Sequence, residues 1–296
     1  MTVAVLASPG DDAILRGILE TLDAVGVDAY GLKMHDSWES IPRERVAARL
    51  EKASHFLALA AQDSLGSSWF SFAVGYGYSR GSQFALYRFD PSSAFPRYLS
   101  GLPVFDSLEE LAAYYLAEKE DWLIQEERRV SRATLLEMGI SVHNDSLAQC
   151  VRDGDTKAVD LFMKSGFPPD ARDKYGVPLL CLAARGKHRA VVEILLASGA
   201  QIDAQSEDRG YSPLMDATQA GSADLVELFL SRGAKPDLMS KDGQTALVVA
   251  VGRNDAEIAS LLVSGGADPD LPDKLDLTAR KYANLFRNPR ILELFS

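Results

Sequence analysis

A chain of 296 residues that is 47% hydrophobic and 25% charged has room for two ordinary domains and is too apolar to stay disordered. Its 31 basic residues face 42 acidic ones, a formal charge of -11, which argues against a broad phosphate-binding surface and against nucleic acid as a partner. The two cysteines, Cys150 and Cys181, exclude a disulfide-built secreted fold and fit as small buried hydrophobes. The opening Met1 to Leu6 runs into Pro9-Gly10-Asp11-Asp12 with no basic flank, so it does not make a signal peptide. No stretch approaches ~18 uninterrupted apolar residues; a cytoplasmic protein without a membrane segment is expected.

In chain order, residues 3 to 8 predict a short apolar strand that enters Ser8-Pro9-Gly10-Asp11-Asp12. A helix follows, with Ile14, Leu15, Ile18, Leu19 and Leu22 at helical spacing. Residues 27 to 32 predict a second strand, 43 to 53 a second helix, 55 to 61 a third strand and 84 to 89 a fourth. The third strand is nearly all apolar, as the middle of a parallel sheet requires. Strands alternating with helices predict an α/β, flavodoxin-like doubly wound sheet over residues 1 to 118, with ligands outside the C-terminal strand ends. Ser8-Pro9-Gly10 lacks the G-x-G-x-x-G run of a dinucleotide fingerprint, which disfavours a Rossmann dehydrogenase. Asp11 and Asp12 fit as caps on the first turn of the following helix. A polar stretch from Asp63 leads into a helix that gathers Trp69, Phe72, Gly75 and Tyr76 along one face. The histidines, His35, His55, His143 and His188, are too scattered for a metal cluster.

At that segment the domain resembles the Toll/interleukin receptor (TIR) family, and more distantly the nucleoside 2-deoxyribosyltransferases. The resemblance rests on Ala7-Ser8-Pro9-Gly10-Asp11-Asp12, on Ser68-Trp69, on Phe72-x-x-Gly75-Tyr76, and on Leu102-Pro103-Val104-Phe105 with Ser107 to Leu111. It implies a pocket for NAD+ or a related nucleotide among Ala7, Ser8, Asp11, Trp38, Ser68, Trp69 and Tyr76. NAD+ would be the substrate, with no bound cofactor, in a setting of bacterial signalling or defence. It also implies TIR self-assembly and a catalytic glutamate four residues after the tryptophan. That position is Ala73. Cleavage of the nicotinamide-ribose bond builds positive charge on the ribose, which a carboxylate would stabilise and alanine does not.

Residues 108 to 117 predict the last helix of the sheet domain and Trp122 to Met138 a second amphipathic helix, within a connector spanning residues 119 to 141. Glycine and proline are absent from 107 to 138, which excludes a floppy linker. From residue 142 onward the chain repeats itself. Leu147, Leu180, Leu214 and Leu247 recur at steps of 33, 34 and 33, in phase with Gly166, Gly199, Gly233 and Gly266 and with Gly176, Gly210 and Gly243. Each unit predicts a turn, a short helix and a longer helix, such as Leu179 to Arg185 followed by Ala190 to Ser198.

This pattern resembles the ankyrin family through Gly210-Tyr211-Ser212-Pro213-Leu214, Ala183-Ala184, His188 to Leu196 and Gly233-Ala234. Residues 142 to 296 are therefore expected to form an all-α ankyrin-repeat solenoid of four units plus a cap, with a protein partner. The family's histidine after Pro-Leu is replaced by Cys181, Met215 and Val248, so apolar packing is expected in its place. The last unit puts Arg280 where earlier units have leucine, which predicts a cap with a polar outer side. The expected function is NAD+ glycohydrolase activity regulated by the repeats and silenced by alanine at position 73. The alternatives are a non-catalytic TIR and ankyrin interaction scaffold, and a deoxyribosyltransferase-like enzyme.

Overall fold

The computed structural model describes residues 1–33, 43–59, 68–88, 99 and 101–295, the side chains of residues 43–46, 68 and 69 excepted. The chain forms two compact units, Met1–Glu126 and Glu127–Ser296.

In the first unit the strands β1 (Thr2–Ala7), β2 (Asp28–Lys33), β3 (His55–Leu59), β4 (Gln83–Tyr87) and β5 (Val104–Phe105) form one sheet in the order β2-β1-β3-β4-β5. Every pairing is parallel, with Val3 opposite both Ala29 and His55, Phe56 opposite Phe84, and Leu86 opposite Val104. The parallel flavodoxin-type order expected from the alternation is present. A parallel sheet must be covered on both faces, and β1 is built for that. Val3, Val5 and Ala7 point to one side, where Leu15, Ile18 and Leu22 of α1 (Asp12–Ala24) and Leu111 and Tyr115 of α4 (Leu108–Glu137) cover them. Ala4 and Leu6 point to the other, under Leu50 of α2 (Arg43–Leu50), Ala53, and Phe70, Ala73 and Val74 of α3 (Ser68–Ser79).

Three sequence expectations change. Helix α3 buries Phe70, Ala73, Val74 and Gly77, whereas Phe72 and Gly75 face outward. Gly77 fits because a Cβ there would press on Phe56 and Phe84 at 3.2 and 3.3 Å. The strand β5, two residues long, was not visible in the sequence because it is too short to show alternation. Helix α4 runs unbroken for 30 residues where two helices were expected. Residues 118 to 121, Glu-Lys-Glu-Asp, contain no breaker, so nothing stops the first helix before the second begins.

The second unit contains, among its described residues, five helix pairs: α5 (Asn144–Asp153) with α6 (Thr156–Lys164), α7 (Leu179–Arg185) with α8 (Arg189–Ala197), α9 (Pro213–Ala220) with α10 (Ala223–Ser231), α11 (Ala246–Gly252) with α12 (Ala256–Ser264), and the shorter α13 (Ala279–Phe286) with α14 (Pro289–Glu293). Hydroxyls of Ser212, Thr245 and Thr278 cap three first helices by accepting from the backbone N–H of Met215, Val248 and Lys281. Pro178 holds the corresponding place in α7 and supplies no side-chain cap. Met215 and Val248 lie in the core, as the loss of the family's histidine led us to expect, while the Cys181 thiol donates to the Ala204 and Tyr211 carbonyls of the next repeat at 3.5 and 3.6 Å. Arg280 binds both carboxylate oxygens of Asp270 and the Phe295 carbonyl. The outer side of this last pair is less polar than its sequence suggests, because Leu285 and Phe286 are exposed.

Consecutive turns are laced by backbone hydrogen bonds, from Glu207 N–H to the Gly176 carbonyl at 3.1 Å, Lys241 to Arg209 at 2.9 Å and Lys274 to Asp242 at 3.1 Å. Gly210 has φ +69°, and a Cβ there would stand 2.8 Å from the Lys241 nitrogen. Gly199 has φ +93° with open space around it. Gly199→Ala should therefore cost about 1 kcal/mol of left-handed strain, and Gly210→Ala on the order of 2–3 kcal/mol because it also opens the lacing. Urea unfolding followed by circular dichroism reads the difference; equal losses would contradict it.

Candidate functional site

At the C-terminal ends of β1 and β2, Ala7 is buried and Ser8 is half-buried. Ser8 N–H donates to the Asp11 carboxylate at 3.0 Å, and Asp11 N–H returns a bond to the Ser8 carbonyl at 3.2 Å. The Asp11 carboxylate thus closes the loop and makes no side-chain bond to the helix it precedes, contrary to the capping role expected of it. Asp12, in the first turn of α1, pairs with Lys33 at the end of β2. Tyr76 lies elsewhere: its hydroxyl donates to Glu51 at 3.5 Å, beside the start of β3. Ala73 is 4% exposed, within the apolar layer that holds Phe70, Phe84 and Leu86. Trp38 and the segment from Asp63 lie outside the described residues, as do the side chains of Ser68 and Trp69.

A polar cluster that sequence reading missed lies at the opposite end of β3. His55 Nδ1 meets the Ser54 hydroxyl at 2.8 Å, and its Nε2 meets Glu118 Oε1 at 3.3 Å. The serine hydroxyl also accepts from Thr2 N–H and donates to the Thr2 carbonyl, so it ties strands together and has no freedom as a nucleophile. Burial pushes the His55 imidazole below its ordinary value, and the Glu118 hydrogen bond opposes this only in part. Among the described residues no three His, Cys, Asp or Glu side chains could hold a metal ion.

The repeat unit carries a cleft of about 700 Å³. Helix α5 supplies Gln149 and Arg152, the first turn Asp173, Lys174 and Tyr175, helix α7 Leu182 and Arg185, and the second turn Asp208. Arg152 pairs with Asp173, whose other oxygen accepts from Tyr175 and Val177 N–H, each at 2.9 Å. Arg185 grips both oxygens of Asp208 at 2.9 and 3.1 Å and reaches Asp216 Oδ1 at 3.0 Å through Nε. Arg209 donates to that same oxygen at 2.9 Å. Asp216 is buried, and its Oδ2 has no hydrogen-bond partner among the described residues. Burial raises the Asp216 carboxyl, and the two guanidiniums offset this incompletely. For Asp208 burial also works upward, but the bonds from Arg185, Ser206 and the Arg209 N–H prevail and hold it well below the usual carboxylate range. The sequence signal for the cleft is faint: Arg152 and Arg185 each stand five residues after a core leucine, one repeat apart.

The family model described as ankyrin repeats (3 copies) matches residues 147–240 and 219–295. An ankyrin repeat-containing protein of Treponema pallidum (strain Nichols) is 32% identical over 295 residues, 99% of each chain. The chain belongs to the ankyrin-repeat family. Its likeness to the treponemal ankyrin protein covers the sheet unit as well as the repeats. The 2-5A-dependent ribonuclease of Homo sapiens is 39% identical over 72 residues, 24% of this ankyrin chain and 10% of the ribonuclease. Ankyrin repeat and SAM domain-containing protein 6 of Mus musculus is 31% identical over 131 residues, 44% and 13% of the two chains.

Two outcomes follow from the buried charges. Asp216→Ala leaves Arg185 and Arg209 without a shared acceptor and should cost about 2 kcal/mol, below the ~3–5 kcal/mol of a fully buried pair because both guanidiniums touch water. Urea unfolding measures it, and an unchanged midpoint would contradict the network. His55 has a folded pKa below its unfolded one, so the unfolded chain binds more protons between the two values. Its contribution is complete above about pH 6.5 and declines as the pH falls toward the folded value. The sheet unit should lose stability on acidification from pH 7, with a shallower slope in His55→Gln; equal slopes in thermal melts would contradict this.

Proposed function

We propose that this ankyrin protein is a non-catalytic interaction scaffold that holds a protein partner in the cleft of its repeat unit. The observation that carries the reading is the cleft itself, a pocket of about 700 Å³ walled by ion pairs, with the Tyr175 ring 65% exposed at its edge. Exposed aromatics beside fixed charges make the anchoring points of protein interfaces. The match to ankyrin repeats supports the same reading. Glycohydrolase chemistry lacks its carboxylate: helix α3 contains no acid, and Ala73 sits among apolar side chains. The sheet supports a second reading, NAD+ or a related nucleotide bound without cleavage. Its strand order reverses between β1 and β3, where doubly wound sheets take ligands. No helix among the described residues is long and apolar enough to cross a membrane.

A photo-crosslinking residue at position 175, in the full chain and in lysate of the organism of origin, should capture one protein partner. Capture should fall at least fivefold when Lys174→Glu is added, and the partner should be missing when the crosslinker sits at exposed Lys187. The same captured proteins at both positions would remove the cleft reading. Nicotinamide release from NAD+ should stay at background for the native chain and for Ala73→Glu, which places a charge in an apolar layer. Release above background would replace the scaffold with an enzyme.

A further inference from the structure

We infer that the cleft recognises an acidic peptide segment of its partner, one that presents two or more Asp or Glu side chains. The inference rests on the cleft being a protein-binding site and adds the chemistry of what enters it. Its basis is which hydrogen-bonding groups of the wall are already engaged. Both oxygens of Asp173 are engaged, one by two backbone N–H groups and the other by Arg152. Both oxygens of Asp208 are engaged by Arg185, and one also accepts from Arg209 N–H at 2.7 Å. The carboxylates that line the cleft therefore have little left to offer a cationic ligand. Arg185 is consumed in the same way, since Nε and both terminal nitrogens each meet a carboxylate oxygen.

What remains is donor capacity. Among the described residues the Arg152 side chain makes one hydrogen bond, through Nη2, out of five N–H groups, and is 36% exposed against 3% for the Asp173 that holds it. Lys174 has no carboxylate partner among the described residues; its ammonium lies 5.1 Å from the Tyr175 ring centre. Tyr175 adds a hydroxyl with no hydrogen-bond partner among the described residues and an exposed ring against which an extended chain can lie. A ligand that completes this wall must bring acceptors, and carboxylates are the acceptors that also match the charge. The chain's charge of -11 does not oppose this at close range, because screening confines charge effects to about 8 Å at physiological ionic strength. That overall charge does disfavour a polyphosphate chain, which would extend well beyond the few open cations of the cleft.

The test uses fluorescence anisotropy with the full chain and dye-labelled octapeptides of alternating Ser and Glu, Ser and Gln, or Ser and Lys, together with an eight-nucleotide oligoadenylate. Saturable binding is expected for the glutamate peptide alone. Lys174→Glu and Tyr175→Ser should each weaken it at least fivefold with unchanged circular dichroism, because neither side chain is buried. Arg232→Glu, an exposed cation outside the cleft wall, should leave it unchanged. Preference for the lysine peptide or the oligonucleotide, equal binding of the glutamine peptide, or indifference to Lys174→Glu would overturn the inference. Failure of the glutamate peptide alongside Lys174-dependent crosslinking at position 175 would overturn the acidic specificity and leave the scaffold standing. Loss of both would remove the cleft as a binding site.

Discussion

No helix pair of the repeat unit closes its own bonding, and that constraint orders everything around it. A carboxylate in one repeat accepts a backbone N–H from the next: Asp170 from Gln201 at 2.7 Å, Asp203 from Lys235 at 3.0 Å, Asp237 from Asp268 at 2.9 Å. The same handover occurs between turns through backbone carbonyls and, in the interior, through a continuous core from Leu147 to Phe295. Stability in such an array is a sum over neighbours. The cleft inherits its rigidity from this, since Arg185 belongs to one repeat and Asp208 and Asp216 to the next.

The acidic excess takes on a different meaning once these bonds are placed. Asp170, Asp203 and Asp237 satisfy backbone donors, Asp155 and Asp255 cap helices, and Asp173, Asp208 and Asp270 hold arginines. The charge of these eight carboxylates is thus structural, directed at groups of the protein itself. Electrostatics at the surface depend on which cations are left with open hydrogen-bonding capacity. For that reason the formal charge is a poor guide to the sign of a partner.

The repeats were legible because two requirements leave marks that survive substitution: a leucine in the core and a glycine where the chain turns left-handed. Where other residues adopt the same backbone, the mark disappears. Between the two helices of successive repeats the left-handed position is filled by Gly154, Lys187, Gly221, Asn254 and Arg287, and only the glycines announce it. Asp276 likewise stands at φ +57° in the column of Gly176, Gly210 and Gly243. The parallel sheet could be read from its apolar strands, but not the two-residue β5 or the unbroken α4, which need tertiary pairing to be seen. The cleft was hidden for another reason. Its arginines, Arg152 and Arg185, look like solvated helix ends until Asp173, Asp208 and Asp216 are brought to them from distant turns. Asp11 was misassigned because an aspartate before a helix can bond backward as well as forward.

The left-handed positions also say something about how the repeats recognise one another. A side chain at Gly154 would collide with the His188 ring, which donates to the Arg152 carbonyl at 2.8 Å, and one at Gly221 would meet the Arg253 guanidinium. At Asn254 the space is used the other way, by a 2.7 Å bond from the Asn288 amide. These three junctions therefore differ in fit, small against large at two and polar against polar at the third. The units share a period but differ at their joints: the unit carrying Arg253, set directly after the one carrying Lys187, would meet a side chain where Gly221 now leaves space. The linear order of the array is written into its joints, independently of the core that all of them share.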